Sequence, residues 1–173
     1  FQKLWSVLVL KMEEERVYKF TVIDLFSGAL GLYKGFLDAG FDVLLGVDND
    51  KVALSTFEFN HDGARAISLD LSDTKAFTDI ENIIGNRELD VIVAGPPCQG
   101  FSLSGPRNFD DERNKLYLAV IKTVKIFKPK AFIIENVPGM ATLYNGEIKD
   151  EILKRFNKLG YNIECKILWA ADY

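Results

Sequence analysis

From Lys19 onward, short apolar runs alternate with segments whose apolar residues recur three or four positions apart. This alternation restricts the fold more than any other feature of the sequence. The runs occupy residues 20–23, 41–47, 66–69, 91–93 and 131–134, with a last one at 163–169. Val91-Ile92-Val93 is continuously apolar, as a strand buried on both faces must be. Between the runs lie an apolar stretch that Gly40 ends, a segment over 50–59, and a helix with Ala76, Phe77, Ile80, Ile83 and Ile84 on one face. The strongest helical pattern carries Leu116, Tyr117, Val120, Ile121, Val124 and Phe127, and Pro129 stops it. A last helix carries Ile148, Ile152, Leu153, Phe156 and Leu159 and ends at Gly160. Parallel neighbours each need a crossover, so this order predicts an α/β fold: a doubly wound, mainly parallel sheet with helices on both faces.

The chain has 173 residues, enough for one domain with a sizeable core. It has no internal repeat or Pro/Gly/Ser-rich linker, and we read residues 19–173 as one domain and 1–18 as an N-terminal extension. The apolar run at 7–10 is too short to span a bilayer, and Glu13, Glu14, Glu15 and Arg16 follow it, so neither a membrane span nor a leader is expected. Only Cys98 and Cys165 are present, with one histidine, His61. That excludes a disulfide scaffold and the paired-cysteine zinc motifs, and no metal site is expected. A net charge of −4 excludes binding of nucleic acid by bulk charge alone; any basic surface must be local.

Ligands of doubly wound sheets bind outside the carboxyl ends of the strands, where the strand order reverses. The polar residues fall there: Asp24 and Gly28 after the first run, Asp48 after the second, Asp70 after the third, Cys98 after the fourth and Glu135 after the fifth. The turn Phe26-Ser27-Gly28-Ala29-Leu30-Gly31 lets backbone approach a ligand, and equally serves as a tight strand-to-helix connection. Asp48 has the place of a carboxylate that accepts two ribose hydroxyls; a solvated turn acid is the plainer reading. Asp70 suits an adenine amino group or a helix N-cap. In Gly95-Pro96-Pro97-Cys98-Gln99-Gly100-Phe101-Ser102 the prolines fix the backbone and present the thiol at the sheet edge. Cys165, inside an apolar run, reads as a core thiol. Residues 102–113, with Arg107 and Arg113, lack apolar periodicity and suit a loop that closes over a substrate and touches phosphates.

These residues are the ones by which the chain resembles the cytosine-5 methyltransferases of nucleic acids. The resemblance runs from about Lys19 to Tyr173, on Asp24-Leu25-Phe26-Ser27-Gly28, Pro96-Pro97-Cys98-Gln99-Gly100-Phe101-Ser102, Arg113, Glu135-Asn136-Val137 and Leu168-Trp169-Ala170-Ala171-Asp172-Tyr173. It implies a Rossmann-like methyltransferase fold and S-adenosylmethionine (SAM) as cofactor, with S-adenosylhomocysteine as product. By position, Cys98 is the nucleophile and Glu135 the acid. Phe26, Gly28, Gly31, Asp48, Asn49, Asp70, Leu71, Pro97 and Leu116 bind the cofactor, and Gln99, Ser102, Arg107 and Arg113 belong to the substrate loop. The implied substrate is double-stranded DNA in a restriction–modification system; tRNA, or a non-catalytic role in binding a partner, is the alternative. The implied location is the cytoplasm of a bacterium or archaeon, or the nucleus or cytoplasm of a eukaryote. Leu30 stands where the family has the first of two glycines. Tyr173 falls where the family continues into a catalytic strand and a target-recognition region. On this resemblance the chain is the N-terminal half of a catalytic domain, completed by a second chain or a C-terminal segment.

Overall fold

The computed structural model describes residues 19–29, 31–60, 65–97, 115–138, 140 and 143–169. The N-terminal extension, Leu30 and the loop with Cys98, Gln99, Ser102, Arg107 and Arg113 lie outside the described residues. Five strands, β1 (Thr21–Leu25), β2 (Asp42–Asp48), β3 (Ala66–Ser68), β4 (Val91–Ala94) and β5 (Ala131–Ile134), form one sheet in the order β3-β2-β1-β4-β5. All the pairings are parallel. The chain builds outward from β1 to β3, then returns and lays β4 on the other side of β1. The strand order therefore reverses between β1 and β4, as the alternation predicts.

The helices form because their apolar stripes need cover. In α3 (Lys75–Ile84) the buried side chains are Ala76, Phe77, Ile80 and Ile84, spaced to one face, and Gly85 at φ 63° ends it by donating its N–H to Glu81 O. This stripe joins Val120 and Val124 of α4 (Lys115–Phe127) and Ile152 and Phe156 of α5 (Glu147–Lys158) against Ile23, Leu25 and Ile92 of the sheet. Full burial of each such aliphatic side chain contributes about 1.5–3 kcal/mol. Lys128 closes α4 in the left-handed region, at φ 47°, because Pro129 bars its continuation. The opposite face carries Val22, Val91 and Val93, packed by Leu32 and Phe36 of α1 (Gly31–Asp38). Phe57 of α2 (Lys51–Asn60) meets Tyr33 of α1 edge-on, ring centroids 4.4 Å apart. Helices thus cover both faces.

At the amino ends of the strands, Asp90, 0% exposed, accepts the Thr21 N–H at 2.8 Å, and Lys130 Nζ pairs with its other oxygen. One buried carboxylate therefore joins the starts of β1, β4 and β5.

Two expectations fail at the far edge. Residues 163–169 form no strand, and Cys165 is exposed rather than core. The alternation of the segment suits a strand, but a strand exists only where a neighbour completes its ladder. Among the described residues β5 pairs with β4 alone, and the segment stands off its other edge across a groove of about 700 Å³ lined by Phe132, Ile134, Phe156, Ile163 and Leu168. Ile133 is accordingly 48% exposed and Trp169 70%.

Candidate active site

The turn after β1 is held in an unusual backbone shape. Phe26 has φ 58° and Gly28 φ 55°, both left-handed. At Gly28 nothing lies within 4 Å of where a Cβ would stand, so backbone conformation alone selects glycine there. A phenylalanine in this region carries about 1–3 kcal/mol of strain and persists only where its neighbours fix it. They do: Ser27 N–H donates to Val47 O at 3.1 Å and Gly28 N–H to Asp48 Oδ2 at 2.9 Å. Gly46 of β2 lets the turn settle, since a Cβ there would stand 2.8 Å from Phe57 Cζ and 3.2 Å from Ser27 Oγ.

Asp48 is fixed by two backbone donors, Gly28 N–H on Oδ2 and Asp50 N–H on Oδ1, each at 2.9 Å. A carboxylate has about four lone-pair positions, so each oxygen retains capacity for a further donor. Asp50 in turn caps α2 by accepting the N–H groups of Val52 and Ala53. Asp70 Oδ1 accepts Ser72 N–H at 2.8 Å and Ser72 Oγ–H at 2.7 Å, an Asx turn. It does not cap α3, where Asp73 Oδ1 accepts Lys75 N–H instead.

A cleft of about 250 Å³ opens at this edge. Phe26 enters its wall from β1, Asp48 and Asn49 from β2, Asp70 and Leu71 from β3, Pro97 from β4 and Leu116 from α4. Side chains predicted from four strand ends and one helix thus meet around one space. Gly28 lies outside the lining, in the turn, and Gly31 is the first position of α1. The cleft is smaller than the ~300–1,000 Å³ of ordinary small-molecule sites, so it encloses only part of a ligand the size of SAM.

The other side of the edge is built by β5. Glu135 N–H donates to Ala94 O at 2.9 Å, and Glu135 Oε2 is 3.8 Å from where a Cβ on Gly95 would stand. The carboxyl group therefore lies over the segment that leads to Cys98. Asn136 Nδ2–H donates to Pro96 O at 3.0 Å, and Gly95 N–H to Leu25 O at 3.2 Å. The Gly95-Pro96-Pro97 approach is tied to β1 and β5 as well as stiffened by its prolines.

Asp24 is placed otherwise than its strand-end position suggests. It lies inside β1, 1% exposed, and its Oδ2 accepts Tyr33 N–H at 3.0 Å in the first turn of α1. Burial pushes its carboxyl up to about 7; the charge of Asp48 adds to this and the Tyr33 N–H opposes it. Leu69 and Gly95 also line the cleft and were not expected there. Leu69 adjoins Asp70, and Gly95 opens the segment that carries Pro97 and Cys98, which was the available signal. Nothing in spacing points to the Asn136–Pro96 bond.

Residues 20–173 match the family described as C-5 cytosine-specific DNA methylase. The chain is 41% identical to the Type II methyltransferase M1.HphI of Haemophilus parahaemolyticus, over 88% of this chain and 42% of that one. It is also 41% identical to the Type II methyltransferase M.AgeI of Thalassovita gelatinovora, over 87% of this chain and 35% of that one. The crystal structure of a prophage-encoded E. coli protein, assigned as a DNA modification methyltransferase, superposes with a TM-score of 0.66 at 34% identity, covering 81% of this chain and 38% of that one. The chain spans about two fifths of the length of the curated relatives it matches. With a parallel Rossmann-like sheet and a match that starts just before β1 and runs to the last residue, the chain belongs to the C-5 cytosine-specific DNA methylase family.

Proposed function

We propose that the protein carrying this chain transfers a methyl group from SAM to C5 of cytosine in DNA, as a restriction–modification methyltransferase. The observation that carries the reading is the meeting of Phe26, Asp48, Asp70 and Pro97 around one cleft, with the Glu135 carboxyl over Gly95 beside it. The description of the matching family and that of the similar prophage-encoded structure favour DNA over tRNA as substrate.

The donor set fits the cofactor. SAM supplies, when bound, a methyl group made electrophilic by its sulfonium. The Phe26 ring packs against adenine, and Asp48 offers its remaining lone pairs to the ribose hydroxyls. Asp70 takes the adenine amino group, Asn49, Leu71, Pro97 and Leu116 enclose it, and the turn at Gly28 and Gly31 leaves room for the methionine end. The substrate chemistry falls to two other residues. The Cys98 thiolate adds to C6 of a cytosine taken out of its stack, while Glu135 protonates N3, so that the ring becomes an enamine nucleophilic at C5. Once C5 carries the methyl group, with S-adenosylhomocysteine left as the thioether, loss of the C5 proton to water and cleavage of the C6–S bond restore the Cys98 thiolate, and the N3 proton returns to Glu135. Gln99, Ser102, Arg107 and Arg113 belong to the loop that closes over the base. Since the chain spans only part of its relatives, the surfaces that read DNA bases are assigned to the rest of the protein, contiguous or on a second chain.

Labelled-methyl transfer to DNA and to tRNA by the intact protein tests this. We expect transfer to DNA that Cys98→Ala abolishes while SAM binding persists. Turnover by a folded Cys98→Ala protein would overturn the assignment, and transfer to tRNA alone would reassign the substrate.

A further inference from the structure

Of the asparagines in the sequence, only Asn145 is followed by a glycine. The pair stands at the entrance to α5, with Asn145 at φ 57° and Gly146 at φ 89°, two successive residues in the left-handed region. Asparagine and glycine adopt this conformation most readily, so the turn selects the pair for its shape. The same pair has a chemical consequence. The main-chain nitrogen of the residue after an asparagine can attack the side-chain amide carbon and close a five-membered imide, and a side chain on that residue obstructs the approach. Glycine at 146 removes the obstruction.

The structure leaves this reaction open at Asn145. Its side chain is exposed and makes no hydrogen bond among the described residues. By contrast, the Asn60 amide is held by Thr56 O and that of Asn136 by Pro96 O. The attacking nitrogen, that of Gly146, is buried, but it stands where a helix frays. Gly146 is itself the N-cap of α5, and no side-chain acceptor holds the first turn. Each local opening of that turn frees the nitrogen to reach the amide carbon.

We propose that Asn145 is a modification site, at which the chain deamidates spontaneously to aspartate and isoaspartate. The Gly146 nitrogen forms a bond to Asn145 Cγ, the Cγ–Nδ2 bond breaks, and the Gly146 amide proton leaves with the amide nitrogen as ammonia. Water then opens the ring. Attack at Cγ leaves aspartate; attack at the main-chain carbonyl carbon of residue 145 cuts its bond to Gly146 N and leaves isoaspartate, with the main chain rerouted through the side chain. The sum is one water taken up and one ammonia released. The two products act differently on α5. Aspartate puts a carboxylate beside the helix N-terminus, where negative charge is favoured. Isoaspartate adds a carbon to the main chain just ahead of α5, whose Ile152 and Phe156 are buried in the core and whose Phe156 ring meets that of Phe132 at 4.3 Å. It therefore disturbs the seating of α5 against β5.

The intact protein, folded and in urea, is held at pH 8 and physiological temperature, and its peptides are read at intervals by tandem mass spectrometry. In the folded protein the peptide with residue 145 is expected to gain about 1 Da and to resolve into two isomers of equal mass, with Asn60 and Asn136 unchanged. Asn145→Gln, whose attack would close a six-membered ring, should show no gain over the same time. No gain at residue 145 in the folded protein overturns the proposal, whether or not the unfolded chain reacts. Equal gain at Asn60 and Asn136 overturns it too, because the exposed turn would then select nothing. The isoaspartyl fraction of the aged protein should melt at a lower temperature than Asn145→Asp, which lacks the extra main-chain carbon. Equal melting would overturn the stated effect on α5.

Discussion

Replacing Asp24 by asparagine should change how stability depends on pH, in a direction opposite to that of most acidic residues. An aspartate is ordinarily ionised more easily in the native state; this one is harder to ionise there, with its carboxyl at about 7 against 3.8. Between those values the native state holds a proton that the unfolded chain has lost, so stability falls as pH rises from about 4 and levels off above 7. A shift of about three units corresponds to ~4 kcal/mol in all, of which ~3 kcal/mol develops between pH 5 and pH 8. Asparagine does not titrate, and its buried amide protons cost about 1–3 kcal/mol equally at both pH values. The measure is therefore the difference between two differences: urea unfolding of both proteins at pH 5 and at pH 8. We expect the variant to gain ~3 kcal/mol relative to wild type on going from the lower to the higher pH. If the two proteins change in parallel, Asp24 ionises freely and the account of its burial is wrong.

Gly46→Ala should lower stability by ~1–3 kcal/mol through overpacking against Phe57, read as a lower melting temperature. Asp48→Ala removes the acceptor for Gly28 N–H together with the proposed ribose contact; SAM affinity should fall about ten- to a hundredfold by calorimetry, with DNA affinity much less affected. Asn136→Ala frees the Pro96 carbonyl and loosens the approach to Cys98; kcat should fall by about tenfold or more with SAM affinity unchanged, since small misplacements of a nucleophile are costly. Unchanged kcat would mean that the prolines alone fix the loop.

What could be read from the sequence was whatever periodicity and strand ends encode. The β5 strand over 131–134 and the stripe of α3 stand where the pattern puts them, because burial enforces a period whatever the neighbours are. The residues that enclose the cleft were legible for a related reason: in a parallel sheet every strand end opens on the same edge, so sequence position becomes spatial position. Three things were not legible. The segment 163–169 has the pattern of a strand, but pairing depends on a partner that its own residues do not specify. Asp24 looks like its neighbours at strand ends, yet sits one residue short of the end of β1 and beneath α1, and only the packed helix reveals that. The Asn136–Pro96 bond joins two loops forty positions apart, a separation at which no local rule acts.

The buried contact of Asp90 with Thr21 and Lys130 is the rivet of a fan whose ribs are β1, β4 and β5. Their tips are laced separately, by the N–H groups of Gly95 and Glu135 and by the Asn136–Pro96 bond, so the two ends of the strands are held by independent sets of contacts. Phe26, Pro97 and Glu135 are carried on those tips, while the rivet carries none of the residues assigned to chemistry. Substitutions among the loops can therefore retune what the edge grips, and the alignment of the ribs is insured at the opposite end of the molecule.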